Sequence, residues 1–263
     1  MISQAIVPLR DPIPFPPSVE EFYPPPLIAG TYPWLTKFTL LVWVAVGLII
    51  IFFLVAYRNP QMVPTKRQWI AESIYGFARE NIAKELIGTE GVRFAPYFAT
   101  LFCFILLTNV FGLIPGIQIS PNSHIAFPVI LAVISYVLFN YVGIRKYGFV
   151  KYMKHSLIPP APWFILPLLI PIEFFSTFIV RPVTLALRLF ANLFAGHVIL
   201  LVFTLGGFAL LASSSSLIKP LSVLSWALAI ALFFLEVLVA ILQAYVFVIL
   251  TSSYVQGALA EEH

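Results

Sequence analysis

The chain has 263 residues, 60% of them hydrophobic and only 10% charged, with a net charge of +4. Soluble domains carry about 25% charged residues, so this sequence cannot cover its own apolar surface; lipid must be its solvent, and an autonomous soluble enzyme is excluded. The surplus positive charge does not point to nucleic acid either, because the basic residues lie in short loops between apolar runs, as membrane topology demands.

The first 34 residues hold nine of the 22 prolines and no apolar stretch of signal-peptide type, which reads as an extended aqueous segment without a domain of its own. Residues 35–263 form the membrane domain. Three ordinary spans follow: Phe38–Tyr57, Phe94–Ile114 and Ile125–Ile144. Each is long enough for a bilayer core of roughly 30 Å. The single cysteine, Cys103, falls inside the second span and offers no disulfide framework. Pro115-Gly116 ends that span and opens a loop through Ser120-Pro121-Asn122-Ser123. Between the first two spans, Lys66–Glu90 is too charged to cross. On a uniform helical wheel Ile70, Ile74, Phe77, Ala78, Ile82 and Leu86 share one side, which predicts an amphipathic helix on the membrane surface or against a partner.

Arg58, Lys66, Arg67, Arg79, Lys84 and Arg93 fill one loop, and Arg145, Lys146, Lys151 and Lys154 another; the opposite loops carry only Arg10, Lys37 and Lys219. The positive-inside rule then puts both basic loops in the cytoplasm and the N-terminus outside.

The last hundred residues are different. Leu221–Gln256 contains no Gly, no Pro and one charge, Glu236, so no hairpin can form there. The preceding run, about 165–212, contains Pro167, Pro171, Pro182 and Gly196 and is also too long for one upright span. The expected architecture is an all-α membrane protein of about five membrane helices plus the amphipathic helix. The last two membrane helices are long and steeply tilted, and they are joined by a turn at Ser213–Ser216 and Pro220.

Few polar residues lie inside these runs: Glu173, Arg181, Arg188, Asn192, His197, Glu236 and Gln243. A charge at the bilayer centre costs about 2.5–3.5 kcal/mol on insertion scales. A buried Arg–Glu pair can simply fix helix register, and Arg181, near the basic end, can snorkel. Arg188 stands among Leu185, Leu187, Leu189 and Phe190, far from either interface. At 100° per residue Thr184, Asn192 and Ala195 fall within about 40° of Arg188, while His197 points to the opposite side. One helix thus presents a fixed cation to one neighbour and a titratable imidazole to another. Glu236 and Gln243, seven apart, share a face of the last helix. A membrane His and Glu within reach of each other suit a proton relay; an interhelical hydrogen bond is the structural alternative for His197.

The run Arg181-Pro-Val-Thr-Leu-Ala-Leu-Arg-Leu-Phe-Ala-Asn-Leu-Phe-Ala-Gly196 resembles the RPxxLxLRLFxNxxAG signature of the a subunit of F-type ATP synthase. Leu242-Gln-Ala-Tyr-Val-Phe-Val-Ile-Leu-Thr251, followed by Tyr254 and Glu261-Glu262-His263, is a second match, and Thr108-Asn109-Val-Phe-Gly-Leu-Ile-Pro115 is similar to a third family block. The likeness is to the actinobacterial type. It implies that Arg188 faces the carboxylate of each passing subunit of a rotating c-ring. It implies that Gln243 approaches this arginine from the last helix, with Asn192 beside it, and that Glu173 lines a cytoplasmic half-channel. Arg181, Asn109, Ser176 and Tyr254 are secondary candidates. The spacing from Glu173 to Arg188 is one residue longer than in other branches.

Two departures stand out. Where many members carry Glu nine residues after the arginine this chain has His197, and where they carry His seven before the glutamine it has Glu236, so the pair is exchanged across the helices. Gly112 replaces an aspartate. The resemblance implies c-ring and b-type peripheral-stalk partners, no cofactor, and ATP chemistry on other subunits, since no nucleotide-binding loop is present. A secondary transporter would show internal repeats or midplane-broken helices; no repeat is visible. A structural subunit that anchors a larger complex is the other alternative.

Overall fold

A computed structural model of the chain describes residues 36–114, 120–157, 164–213 and 217–259. The proline-rich segment 1–34, the Pro115-Gly116 stop, residues 214–216 of the predicted turn and the closing Glu261-Glu262-His263 lie outside the described residues. Among the described residues every long element is helical, and five stretches are long and apolar enough to cross a membrane.

Helix α1 (Lys37–Ala56) starts where the Thr36 hydroxyl accepts from the Thr39 amide at 3.4 Å, a side-chain N-cap. It packs on α3 and leaves Trp43 and Leu54 exposed toward lipid. Helix α2 (Lys66–Gly76) is capped by Thr65 and widens into π-type turns over Phe77–Ile87. Its inner side is Gln68, Ala71, Ala78, Ile82 and Ala83, laid against α3 and α8. Ile70, which the uniform wheel put on that side, is exposed, because i→i+5 turns advance more slowly than 100° per residue and shift the register between the two halves.

Helix α3 (Ala95–Leu113) has Pro96 in its first turn, where a missing N–H costs nothing. After a single 3₁₀ turn (Pro121–Ser123), α4 (Ala126–Tyr147) ends on Arg145 and Lys146, cations that suit the helix C-terminus. Gly148 then takes φ +78°, a conformation that L side chains rarely adopt, and the chain turns into a short helix α5 (Phe149–Leu157). This piece was not foreseen from the sequence. Its Tyr152 ring lies against Gly143 of α4, filling the space a Cβ would take.

Helix α6 (Leu166–Phe175), a π segment (Ser176–Val180) and α7 (Arg181–Ala212) run on as one helical stretch of 47 residues. The π segment sits immediately before Pro182, whose ring and missing N–H disturb the i→i−4 ladder there. Helix α8 (Pro220–Leu259) has 40 residues, a length of about 60 Å at 1.5 Å per residue. It fits a 30 Å core only when strongly inclined. The most extensive packing in the molecule is between α7 and α8, with α3 and α4 closing the bundle. Small residues make that approach possible, as expected for helices that associate without a hydrophobic driving force: Gly196 of α7 lies against Glu236 of α8, and Gly207 against Trp226.

Candidate functional site

The sequence of α7 divides it into two faces. Leu185, Ala186, Leu189 and Leu193 are buried against the rest of the bundle. Thr184, Leu187, Arg188, Ala191, Asn192 and Ala195 are exposed on the other side. Among the described residues Arg188 makes no hydrogen bond and no ion pair. A guanidinium in this position needs a partner or water from outside the chain to offset its insertion cost.

His197, nine residues on, faces inward. Its Nδ1 contacts Oε1 of Glu236 on α8, with 10% and 6% of the two side chains exposed. That contact needs a proton between the two atoms, carried either by Nδ1 or by the Glu236 carboxyl. The pair is seated by two glycines. A Cβ on Gly112 of α3 would lie 2.6 Å from His197 Nε2. A Cβ on Gly196 would lie 3.2 Å from Glu236 Oε1. Gly112, which the sequence marked only as a missing acid, leaves the room that the histidine occupies. The far nitrogen, Nε2, is buried and has no hydrogen-bond partner among the described residues.

Two helical turns further along α8, Gln243 is 3% exposed and accepts at Oε1 from Nδ2 of Asn192 at 2.8 Å. Gln243 is thus hydrogen-bonded to α7 one turn beyond Arg188. Its own Nε2 is buried and unpaired among the described residues. Asn109 lies behind this pair. Its Nδ2 donates to the Ala240 carbonyl at 3.0 Å, and Asn122 Nδ2 donates to its Oδ1 at 2.8 Å. Asn122 Nδ2 also donates to Thr108 Oγ1 at 2.7 Å, and Ser120 Oγ to the Thr108 carbonyl at 3.0 Å. The network ties the 3₁₀ turn to α3 and α8 in a fully buried setting where an unpaired polar group costs about 1–3 kcal/mol. The sequence showed Ser120 and Asn122 only as turn formers; nothing local says that they fold inward.

A second polar cluster lies toward the basic loops. Arg181 Nη2 is 3.7 Å from Glu173 Oε1, Thr177 Oγ1 donates to the same oxygen at 3.2 Å, and the Arg181 guanidinium stands 5.5 Å from the centre of the Tyr254 ring. These groups line a cavity of about 150 Å³ together with Tyr152 and Ser156 of α5. Both charged side chains are about a third exposed, so the pair itself stabilises little. An i→i+5 turn takes up one residue more than an α turn, and the π segment Ser176–Val180 sits between Glu173 and Arg181. Ser176 opens that segment half-buried and does not line the cavity. Thr177 had no mark in the sequence.

Along α7, then, Arg188 stands between two polar clusters, about 10 Å from Arg181 and about 13 Å from His197 at 1.5 Å per residue. The inner face between them is leucine and alanine. Among the described residues no three His, Cys, Asp or Glu side chains gather as a metal site.

The family model described as ATP synthase A chain matches residues 39–256, a span that includes every residue of both clusters. The chain belongs to this family. The protein named ATP synthase subunit a from Nocardioides sp. is 46% identical over 231 residues, covering 87% of this chain and 83% of that one. Its namesake from Pseudarthrobacter chlorophenolicus is 44% identical over 252 residues, 94% of both chains. The one from Rhodococcus erythropolis is 43% identical over 260 residues, 94% of this chain and 91% of that one. The family membership and the five apolar helices make this a multi-pass membrane protein of an ATP synthase, and the actinobacterial likeness read from the signature motifs holds across the length of the chain.

Proposed function

We propose that this chain is the stationary half of the enzyme's proton path, a non-catalytic subunit that forms two offset half-channels against a rotating c-ring and is held by b-type peripheral-stalk subunits. The observation that carries the reading is Arg188: exposed, unpaired among the described residues, and placed between two polar clusters that an apolar helix face separates.

Protons enter from outside by way of His197 and Glu236 and neutralise a ring carboxylate, which can then face lipid. After nearly a full turn that carboxyl reaches the path beside Glu173, Thr177 and Arg181 and loses its proton to the cytoplasm. Arg188 favours the ionised carboxylate and so lowers its proton affinity. Its permanent charge also repels a proton that would pass straight between the half-channels. The driving force is about 2.3 kcal/mol per charge for each 100 mV, so the Arg188–carboxylate pair must stay weak enough to part at every step. Water reaching it from both sides keeps it so. The exchanged pair fits this scheme, because a relay needs one imidazole and one carboxylate in contact and does not depend on which helix supplies which.

In this orientation the N-terminus is outside, the C-terminus is cytoplasmic, and the complex sits in the bacterial plasma membrane. The test is Arg188→Ala in the whole enzyme reconstituted in vesicles. Proton-driven ATP synthesis is expected to vanish while the subunit remains assembled; retained synthesis overturns the proposal.

A further inference from the structure

The basic end of the bundle holds a cavity of about 420 Å³ that the proton path does not use. Three cations line it: Arg93, just before α3, and Arg145 and Lys146 in the last turn of α4. Glu90 is the one carboxylate, 3.3 Å from Lys146 Nζ, so the lining carries +3 and −1, a net +2. The two guanidiniums are held by aromatic groups rather than by acids. Arg93 stands 4.7 Å from the centre of the Phe94 ring, and Arg145 donates to the Tyr141 hydroxyl at 3.3 Å. Among the described residues neither has a carboxylate partner. Like charges gathered in one concavity repel, and guanidinium forks match phosphate oxygens in geometry as well as in sign.

The second observation is apolar. From Tyr141 at the cavity's edge an exposed stripe runs down α4 through Val137, Ile134 and Ile130, each about half exposed. These positions are four, three and four residues apart, a single helix face. A ligand that meets both features has a doubly negative head and long hydrocarbon tails. A free phosphate or an acidic peptide satisfies the cations and leaves the stripe bare.

We propose that this cavity binds the headgroup of a phospholipid carrying two phosphates, of the cardiolipin type, with its acyl chains along α4. By the positive-inside rule the lipid belongs to the cytoplasmic leaflet, where basic pockets between membrane helices take such headgroups. The site is independent of the proton-path reading.

The test uses the intact complex, stripped of lipid and placed in phosphatidylcholine nanodiscs. These contain either tetraoleoyl cardiolipin or twice as much dioleoyl phosphatidylglycerol, and the lipid retained after exchange is measured. Arg93→Gln and Arg145→Gln should each weaken cardiolipin retention about fivefold, and the exposed Lys84→Gln should not change it. Lys146 is left intact because it also donates to the Leu259 carbonyl. Glu90→Gln removes the opposing charge and should strengthen retention by a similar factor, a gain that misfolding cannot produce. The proposal is overturned if phosphatidylglycerol is held as tightly as cardiolipin, or if millimolar inorganic phosphate displaces the lipid. It is overturned equally if the three cavity variants leave retention unchanged, as they would where an acidic segment of a partner subunit fills the site.

Discussion

Replacing Gly112 by alanine should slow the outer path without replacing any ionisable group. The added Cβ would meet His197 Nε2 at 2.6 Å and Cε1 at 2.8 Å, with Ser120 Cβ at 3.0 Å on the other side. Real Cβ atoms do not sit that close, so something must move. The imidazole cannot simply swing away, because its Nδ1 is engaged by Glu236 and breaking a buried pair costs about 3–5 kcal/mol. Overpacking that is relieved by small shifts costs about 1–3 kcal/mol. Placed on the barrier to proton passage, that strain slows conduction about 5- to 150-fold. The assay is passive proton uptake into vesicles containing the membrane sector, driven by a potassium–valinomycin potential and followed with a pH-sensitive dye. Gly47→Ala is the control, since nothing lies within 4 Å of its added Cβ. Wild-type conduction by an assembled Gly112→Ala subunit would refute the reasoning.

The double exchange His197→Glu with Glu236→His should be milder than either single change, because the relay pair is restored in mirrored form. A double-mutant cycle of proton conduction measures the coupling, and additive losses would mean that the two side chains do not act together. Deleting Ile179 should convert the π segment to an α turn, which takes up one residue fewer and so keeps Glu173 on the side of Arg181. ATP-driven proton pumping should then be largely kept; a severalfold fall with every charge still present would show that the deletion does not preserve the register of Glu173.

The five membrane helices were legible in the sequence because some 20 uncharged residues in lipid leave the backbone no other way to satisfy its hydrogen bonds. The contact between His197 and Glu236 was legible for a related reason: polar groups inside apolar runs are too costly to leave without partners, and there are few of them to pair. What stayed hidden depends on register and tertiary detail. A wheel drawn at a constant 100° cannot anticipate π turns, so Ile70 fell on the wrong side of α2 and the position of Glu173 relative to Arg188 stayed open. Gly112 carries no sign of which side chain will enter the space it leaves. Asn122 and Ser120 form a turn in any context, and only the packing of that turn against α3 and α7 makes them part of a buried network. The helix α5 escaped notice because its basic residues read as loop.

The central claim is that the Arg188 face of α7 meets the rotor. After Cys103→Ser, single cysteines at Thr184 and Ala195, which flank Arg188 on that face, and at Leu189 and Leu193 on the buried face can be tested against a cysteine near the ring carboxylate by oxidative cross-linking in native membranes. Disulfides should form from Thr184→Cys and Ala195→Cys and stay absent from Leu189→Cys and Leu193→Cys. The reverse pattern, or no cross-link from the arginine face while the enzyme remains coupled, would contradict the account.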